Sequence, residues 1–279
     1  MSMFSFLRKT KKEEVRIYSM PKWHEDDFYC QLPVDILEET NTLIAGICGA
    51  GKSVLLHDIM YTAISKSNPF ANNENGIQFV LADPKMTELD MYRYLPHVLR
   101  YSDDPEGILD DMDYLIDVMM ERYQYMKDNG LRKWNKGQIY FIVDELADLM
   151  CYDKKGFSAK FTKIMQLSRA AGIHVIACTQ SPAKLTIPAS AQLNYTCRIG
   201  LRCSSSVESK QIIGIGKAEC FQRIGMEGCQ SLPQHGKCIY VGKMHNLEIL
   251  DVPMIDMDII ERKIEEAETG MRVEERTAI

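Results

Sequence analysis

The sequence predicts an α/β fold in which a mostly parallel sheet is covered by helices on both faces. Three observations predict it. Buried-strand runs alternate with amphipathic helical patterns, the order typical of parallel sheets. One strand is joined to its helix by a glycine-rich loop. The chain has 279 residues, 46% of them hydrophobic and 26% charged, which is enough for a real core and excludes overall disorder, collagen-like repeats and coiled-coil rods.

The first half of the chain supplies two strands and two helices of this pattern. TLIAGI predicts a buried strand, and the segment from Lys52 to about Ser65 predicts a helix with Val54, Leu55, Ile59 and Ala63 on one face. GIQFVLAD predicts a second buried strand over 76–83, and residues 106–128 a long amphipathic helix. We expect its core stripe to consist of Ile108, Leu109, Met112, Leu115, Ile116, Met119 and Met120.

The second half continues the alternation and then closes the sheet. QIYFIVDE and GIHVIACTQ predict a third and a fourth strand, CRIGLRC predicts a fifth at 197–203, and KCIYVGKMHNLEILDV predicts a β-hairpin. QLPVDILEETN suggests a short strand and turn before the core, and SPAKLTIPASAQLN a long surface loop of the kind that is usually functional. We therefore expect a basic tail over 1–22, one domain over 23–255, and a charged helix and tail over 256–279.

Composition also bounds the cellular location. The longest stretch without Lys, Arg, Asp or Glu runs over 170–183 and includes His174, Gln180 and Pro182, so it is too short and too polar to span a bilayer. The N-terminus places its basic residues after a very short apolar start, the reverse of a secretory signal. Nine cysteines, an odd number without C-x2-C spacing, predict free thiols. We expect a cytoplasmic protein that does not insert into a membrane.

The glycine-rich loop matches a phosphate-binding motif. GICGAGKS, residues 46–53, fits G-x-x-x-x-G-K-[ST], directly after a buried strand and at the start of a helix. In this motif the main-chain N–H groups cradle the phosphates of ATP, Lys52 reaches the β- and γ-phosphates, and Ser53 ligates Mg²⁺. The predicted nucleotide-binding residues are Gly46, Ile47, Cys48, Gly49, Ala50, Gly51, Lys52, Ser53 and Val54.

An acidic pair follows the third predicted strand. A phosphate-binding loop requires a carboxylate at the end of a neighbouring strand to hold the metal, and Asp144 is placed for that role. Glu145 comes next and is the candidate to polarise the attacking water. The simpler interpretation is that the pair caps the following helix.

Two further residues are candidates by position. Gln180 follows the fourth predicted strand, where it would border the ligand crevice and sense the γ-phosphate, unless it is an ordinary polar residue at a strand end. Arg169 precedes the same strand, where an arginine commonly stabilises a helix C-terminus.

Together these segments resemble the motor domain of the FtsK/SpoIIIE family of DNA translocases. The resemblance rests on LIAGICGAGKSVLL (43–56), ADPKMTEL with LPHVL (82–99), YFIVDELADLM (140–150), SRAAGIHVIACTQSP (168–182) and, more weakly, RIGLRCSSSVESKQIIGIGKAE (198–219). It implies a RecA-like P-loop domain that works as a hexameric ring around DNA. It also implies that Arg169 reaches the nucleotide of the neighbouring subunit as an arginine finger.

The resemblance further implies that two loops, at about 181–194 and 203–210, line the pore of the ring. Lys184 and Lys210 are the basic groups there, and Ser204, Ser205 and Ser206 are the hydroxyls that would bind phosphate oxygens. Position 206 is a serine where many relatives carry a basic residue. We expect the family's membrane-spanning and winged-helix parts to be missing from this chain.

Two segments remain open. Asp83 and Lys85, in DPKMTEL, would couple the nucleotide to the pore or simply pair with each other. The segment 220–238 is longer than the family's glycine turn; we expect a solvated loop there, although Cys229 and His235 are residue types that can bind a metal.

The preferred functional hypothesis is an ATP- and Mg²⁺-dependent translocase that moves along double-stranded DNA. Its partners would be DNA, further copies of itself and, in a mobile-element, conjugation or phage setting, a separately encoded membrane anchor or relaxase. The alternative is a coupling or secretion ATPase of the same superfamily that moves protein or a relaxase-bound single strand. A P-loop protein without catalysis is disfavoured, because Lys52, Asp144 and Glu145 are all present.

Overall fold

The computed structural model describes residues 36–73, 75–180, 192–242, 246–252 and 254–277, and the side chains of these residues except 154 and 270–277. Its strands are β1 (Asn41–Ala45), β2 (Ile77–Ala82), β3 (Val98–Ser102), β4 (Gln138–Val143), β5 (Ile173–Thr179), β6 (Cys197–Gly200), β7 (Lys237–Val241) and β8 (Leu247–Asp251). Its α-helices are α1 (Lys52–Lys66), α2 (Pro105–Asp128), α3 (Leu146–Tyr152), α4 (Lys154–Leu167), α5 (Ser206–Ile213), α6 (Lys217–Ile224) and α7 (Met257–Thr277).

In the described part of the chain these strands form one eight-stranded sheet in the order β3-β2-β4-β5-β1-β6-β7-β8. The pairings from β3 to β6 are parallel, and β6-β7 and β7-β8 are antiparallel. The five predicted strands and the closing hairpin strands are all present. The predicted fold class, a mostly parallel sheet between helices, is therefore confirmed.

Two apolar clusters cover the two faces of the sheet. One contains α2, α3, α4, α5 and α6, and the other contains α1 and α7. Side chains from the central strands alternate between them, since Leu43 lies in the first cluster and Ile44 in the second. The core strands are buried on both sides, which explains why they read as continuous apolar runs.

Some predictions near the edges of the sheet were wrong. Ile36–Glu38 is a short 3₁₀ helix rather than the suggested strand. The strand β3 was not predicted, because it is an edge strand that pairs only with β2 and leaves Leu99 and Arg100 exposed. Met120 was assigned to the core stripe of α2 but is 53% exposed.

The segment 220–238 is not a solvated loop. Its first residues complete α6, and Cys229–Ser231 forms a 3₁₀ helix. Cys220, Cys229 and Leu232 are buried in the core on the α2 side of the sheet. The cysteines there fill the core, and the eight cysteines that the structure describes are free thiols. Among the described residues, no three His, Cys, Asp or Glu side chains converge in a way that could hold a metal ion.

The C-terminal helix α7 contacts α1 through its apolar side, where Ile260 and Ile264 are buried. It extends to Thr277, through the region where a tail was expected. None of the described helices combines the length and apolar character that a bilayer span requires.

Candidate functional site

The candidate site lies at the carboxyl edge of the four central strands. Ala45 of β1 is in register with Thr179 of β5, and Ala82 of β2 is in register with Val143 of β4. Because parallel strands end at the same edge, the residues that follow them meet there. Four predicted positions are thereby brought together, namely Gly46, Asp83, Asp144 and Gln180.

The loop between β1 and α1 has the conformation that a phosphate-binding loop needs. Gly49 and Gly51 have φ angles of 72° and 97°, in the left-handed region where glycine is free of strain. Its start is anchored by main-chain bonds, from Gly46 N–H to the Thr179 carbonyl (3.2 Å) and from Ile47 N–H to the Arg202 carbonyl (2.9 Å). No side chain caps the N-terminus of α1, so its first N–H groups are left to a ligand at the positive end of the helix dipole.

The remaining loop residues differ in exposure. Cys48 and Gly49 are exposed, Ala50 is buried, and Val54 is half-buried in the first turn of α1. All nine predicted nucleotide-binding positions therefore belong to one continuous loop and helix start.

Lys52 and Asp144 form a buried ion pair at the floor of this loop. The Lys52 Nζ and Asp144 Oδ1 atoms are 3.4 Å apart, with the side chains only 6% and 2% exposed. Burial alone would lower the pKa of Lys52, but the neighbouring Cys178, Asp144 and Glu145 outweigh it and raise the pKa. Burial raises the pKa of Asp144, while the charge of Lys52 opposes that rise. Each charge thus keeps the other ionised in a site with little water.

Glu145 is held by several donors at once. Its carboxylate accepts hydrogen bonds from Lys85 Nζ (3.1 Å) and from the N–H groups of Gln180 (3.2 Å to both oxygens) and Ala147 (3.3 Å). The bond from Ala147 makes Glu145 the N-cap of α3, so the capping interpretation describes a real contact. The same carboxylate also lies close enough to Lys52 for its charge to help raise the pKa of that lysine.

Asp83 and Lys85 do not pair with each other. Asp83 Oδ2 accepts three main-chain bonds, from the N–H groups of Thr87, Glu88 and Leu89, at 2.9–3.2 Å. Lys85 binds Glu145 and lies 3.7 Å from Asp148. The first residue therefore shapes a turn, and the second ties that turn to Glu145.

Glu88 is a site residue that sequence reasoning missed. Its Oε1 accepts a 2.5 Å hydrogen bond from Ser53 Oγ, and its Oε2 lies 3.3 Å from His57 Nε2. The His57 ring in turn contacts the hydroxyl of Tyr92 through Nδ1 at 2.8 Å. The available signal was the DPKMTEL segment, which brings an acidic residue back to the strand edge five positions after Asp83.

These residues fit MgATP. The Lys52 ammonium and the uncapped N-terminus of α1 suit phosphate oxygens, and the Ser53 hydroxyl with the carboxylate of Asp144 suits a hard cation. Mg²⁺ typically takes one or two such protein ligands and completes its shell with water and phosphate.

Arg169 does not belong to this edge of the sheet. It is exposed and precedes the seven-residue strand β5 at its amino end, about 20 Å from the loop at the strand's carboxyl end. It cannot reach the nucleotide of its own subunit.

Four of the five predicted DNA contacts, Ser204, Ser205, Ser206 and Lys210, follow β6 in the chain. Ser205 caps α5 by accepting a bond from Glu208 N–H, and the Glu208 carboxylate accepts a bond from the N–H of Ser204, the residue before the cap. Ser206 and Lys210 are exposed on α5. Lys184 lies outside the described residues.

The comparisons with known proteins agree with the motifs. The sequence profile of the FtsK/SpoIIIE family matches residues 7–139. The chain is 30% identical over 196 residues to the DNA translocase FtsK of Caldanaerobacter subterraneus subsp. tengcongensis, covering 66% of this chain and 27% of the relative. It is 31% identical over 197 residues to the DNA translocase SpoIIIE of Bacillus subtilis, covering 63% and 24%. It thus spans about a quarter of the length of these relatives, and the predicted family resemblance is confirmed.

Solved structures share the fold at lower identity. The pCW3 conjugation coupling protein TcpA, in a monomer form with ATPγS, gives a TM-score of 0.67 at 20% identity, covering 84% of this chain and 66% of that one. EssC (ATPases 2 and 3) from Geobacillus thermodenitrificans gives 0.68 at 17% identity, covering 85% and 45%. The fold is that of P-loop ATPases.

Proposed function

Because the chain is related to the FtsK/SpoIIIE family, we propose that it is an ATP-hydrolysing motor that moves along double-stranded DNA. The observation that carries the proposal is the buried constellation of Lys52, Asp144 and Glu145 at one sheet edge. A protein that only bound nucleotide would need the first two residues. The third has no role in binding phosphate, and it occupies the position from which a carboxylate can accept a proton from water.

Each residue has a distinct task in this mechanism. The loop N–H groups and Lys52 would bind and orient the phosphates of ATP, and Ser53 with Asp144 would hold Mg²⁺. When bound there, the cation would supply positive charge to offset the charge that develops on the transferred phosphoryl group. Glu145 orients the attacking water and takes up its proton, and Gln180, whose N–H contacts Glu145, links that carboxylate to the end of β5.

The position of Arg169 supports its action in a neighbouring subunit. An exposed arginine at the amino edge of the sheet faces away from its own nucleotide, and in a ring of copies such a residue can reach the next site. We therefore place it as an arginine finger in a homo-hexamer. A cytoplasmic location goes with this proposal, since the motor must meet nucleotide and DNA.

We assign the DNA contacts to Lys184, Ser204, Ser206 and Lys210, the residues that the family resemblance predicts to line the pore of a ring. Ser205 is included as well, but its oxygen already caps α5. Lys210 gives the clearest test, because it is exposed and its side chain is separate from the hydrogen bonds between Ser204, Ser205 and Glu208. Lys210→Glu should weaken duplex binding and lower its salt dependence without changing hydrolysis in the absence of DNA.

The test is steady-state ATP hydrolysis at fixed salt with no DNA, with single-stranded DNA and with duplex DNA. Glu145→Gln should retain nucleotide binding and lose roughly 10²- to 10⁴-fold in hydrolysis. Lys52→Ala serves as the inactive control. Its fold is checked by circular dichroism, because the substitution removes the lysine that pairs with the buried Asp144. Normal turnover by Glu145→Gln would refute the assignment of the base.

A second candidate function is a coupling or secretion ATPase. It is favoured by the fold neighbours, one of which is a conjugation coupling protein and another, EccC of Thermomonospora curvata, a type VII secretion ATPase. Stimulation by duplex DNA would support the translocase. Hydrolysis that is indifferent to every DNA, or that responds only to single strands, would favour the second candidate and a separately encoded membrane anchor or relaxase as partner.

A further inference from the structure

The turn that follows β2 brings a carboxylate onto the hydroxyl of the proposed metal ligand. Glu88 Oε1 lies 2.5 Å from Ser53 Oγ, and of the two groups only the hydroxyl has a proton to donate. A serine hydroxyl has one proton and two lone pairs, so fixing the proton also fixes the directions of the lone pairs. Nothing in the ATPase mechanism above uses Glu88.

We infer that Glu88 is the positioning residue for the magnesium site, because its carboxylate takes the Ser53 proton and aims the Ser53 lone pairs at the cation. This inference rests on the proposed function, since it presumes that Ser53 binds Mg²⁺ beside ATP. Outer carboxylates of this kind orient metal ligands and raise their basicity in other metal sites, where removing them costs 10- to 100-fold in affinity.

The position of Glu88 is built into the fold. Asp83 is fully buried, and its Oδ2 holds the main chain at 87–89 by three hydrogen bonds. Met86, in the same turn, has a φ of 53°, a left-handed conformation that is uncommon outside glycine and is found at constrained sites. If Glu88 touched Ser53 only by chance, the turn that carries Glu88 would not need to be held in place by the buried carboxylate of Asp83.

A second contact holds the other oxygen of Glu88. His57 Nε2 lies 3.3 Å from the Oε2 atom, and the hydroxyl of the buried Tyr92 contacts the His57 ring from its other nitrogen, Nδ1. The carboxylate is therefore held at both oxygens, and its Oε1 atom stays directed at the Ser53 hydroxyl.

Mn²⁺ binding tests the inference without relying on turnover. Free Mn²⁺ is measured by electron paramagnetic resonance in the presence of a saturating non-hydrolysable ATP analogue, for the wild-type chain, Glu88→Ala and Glu88→Gln. We expect Glu88→Ala to weaken Mn²⁺ binding about tenfold or more, while binding of the analogue in EDTA is retained. Glu88→Gln keeps an oxygen acceptor for Ser53 and should stay within about threefold of the wild type.

Asp90→Ala is the matched control. Asp90 is an exposed carboxylate two residues further on that pairs with Arg93, so its removal changes the local charge equally without touching Ser53. Mn²⁺ binding should be unchanged in this variant. An equal loss in Asp90→Ala and Glu88→Ala would overturn the inference in favour of general electrostatics.

A double-mutant cycle separates this inference from the proposed function. If Glu88 acts through Ser53, Glu88→Ala adds no further loss in a Ser53→Ala background. If Ser53→Ala weakens Mn²⁺ binding and Glu88→Ala does not, the inference fails and the proposed ATP site stands. If the wild-type chain binds no Mn²⁺ with the analogue, both fail.

Discussion

Acid should destabilise this protein in a way that can be traced to His97. This residue precedes β3, is 3% exposed and packs 6.0 Å from the Phe79 ring. Burial lowers its pKa to about 4 from an ordinary value of 6.5, a main-chain contact with Ser67 partly opposes the shift, and the charge of Lys263 adds to it. The folded state therefore disfavours the protonated imidazole at neutral and mildly acidic pH.

The sign and size of the effect follow from linkage. The pKa is lower in the folded chain, so the contribution of His97 is fully present above pH 6.5 and is lost as the pH falls towards 4. From the two pKa values, the loss in the free energy of unfolding is about 2 kcal/mol at pH 5 and about 3 kcal/mol at pH 4. Domains of this kind are stable by about 5–15 kcal/mol, so the loss is measurable.

Urea unfolding at pH 7, 5 and 4 measures this loss in the free energy of unfolding. The wild type is compared with His97→Leu, in which position 97 cannot titrate and carries an apolar side chain. The difference in the free energy of unfolding should change by about 2–3 kcal/mol across this range. His235→Gln is the control, because His235 is exposed. Parallel pH profiles of the wild type and His97→Leu would refute the reasoning, since the acid sensitivity would then come from other groups.

Three more substitutions test the phosphate-binding loop, the cap of α5 and the ion pair of Glu145. Gly46→Ala would bring a Cβ within 2.7 Å of the Leu201 Cβ, so it should lower the free energy of unfolding by about 1–3 kcal/mol in urea and weaken nucleotide binding; an unchanged unfolding midpoint would contradict this. Ser205→Ala should cost about 1 kcal/mol by removing the cap of α5, which thermal unfolding will show or exclude. Lys85→Met removes the ammonium group that pairs with the buried Glu145. Because the Lys85 side chain is 35% exposed, the substitution should lower the free energy of unfolding by only about 1 kcal/mol. Its basal hydrolysis should rise, because Glu145 Oε2 then accepts one hydrogen bond fewer and can accept one from water; a tenfold fall would show that Lys85 positions the base instead.

The strands of the sheet were predictable from the sequence where helices cover them on both faces. Strands such as β4 and β5 are buried on both faces, so each appears in the sequence as a nearly continuous apolar run that is followed by polar residues. The edge strand β3 has no such run. It forms because β2 offers it hydrogen-bonding groups, and that is a property of the neighbour rather than of VLRYS itself.

The site residues were predictable from the sequence where a known motif gives a residue type a fixed role. Lys52, Ser53 and Asp144 follow from the phosphate-binding motif and from strand ends, and the structure brings them together. Glu88 did not follow, because its approach to Ser53 depends on the shape of the turn at 83–89. That shape is set by hydrogen bonds from the main chain to Asp83, which have no periodicity in the sequence.

The same turn also positions residues at two parts of the site. Lys85 and Glu88 are three residues apart, and they contact Glu145 and Ser53, respectively. Three main-chain bonds to the buried Asp83 carboxylate hold the part of the turn that carries Glu88. The contacts of the proposed base and of the proposed magnesium ligand therefore depend on the geometry of one short segment, which the linear order of the residues does not reveal.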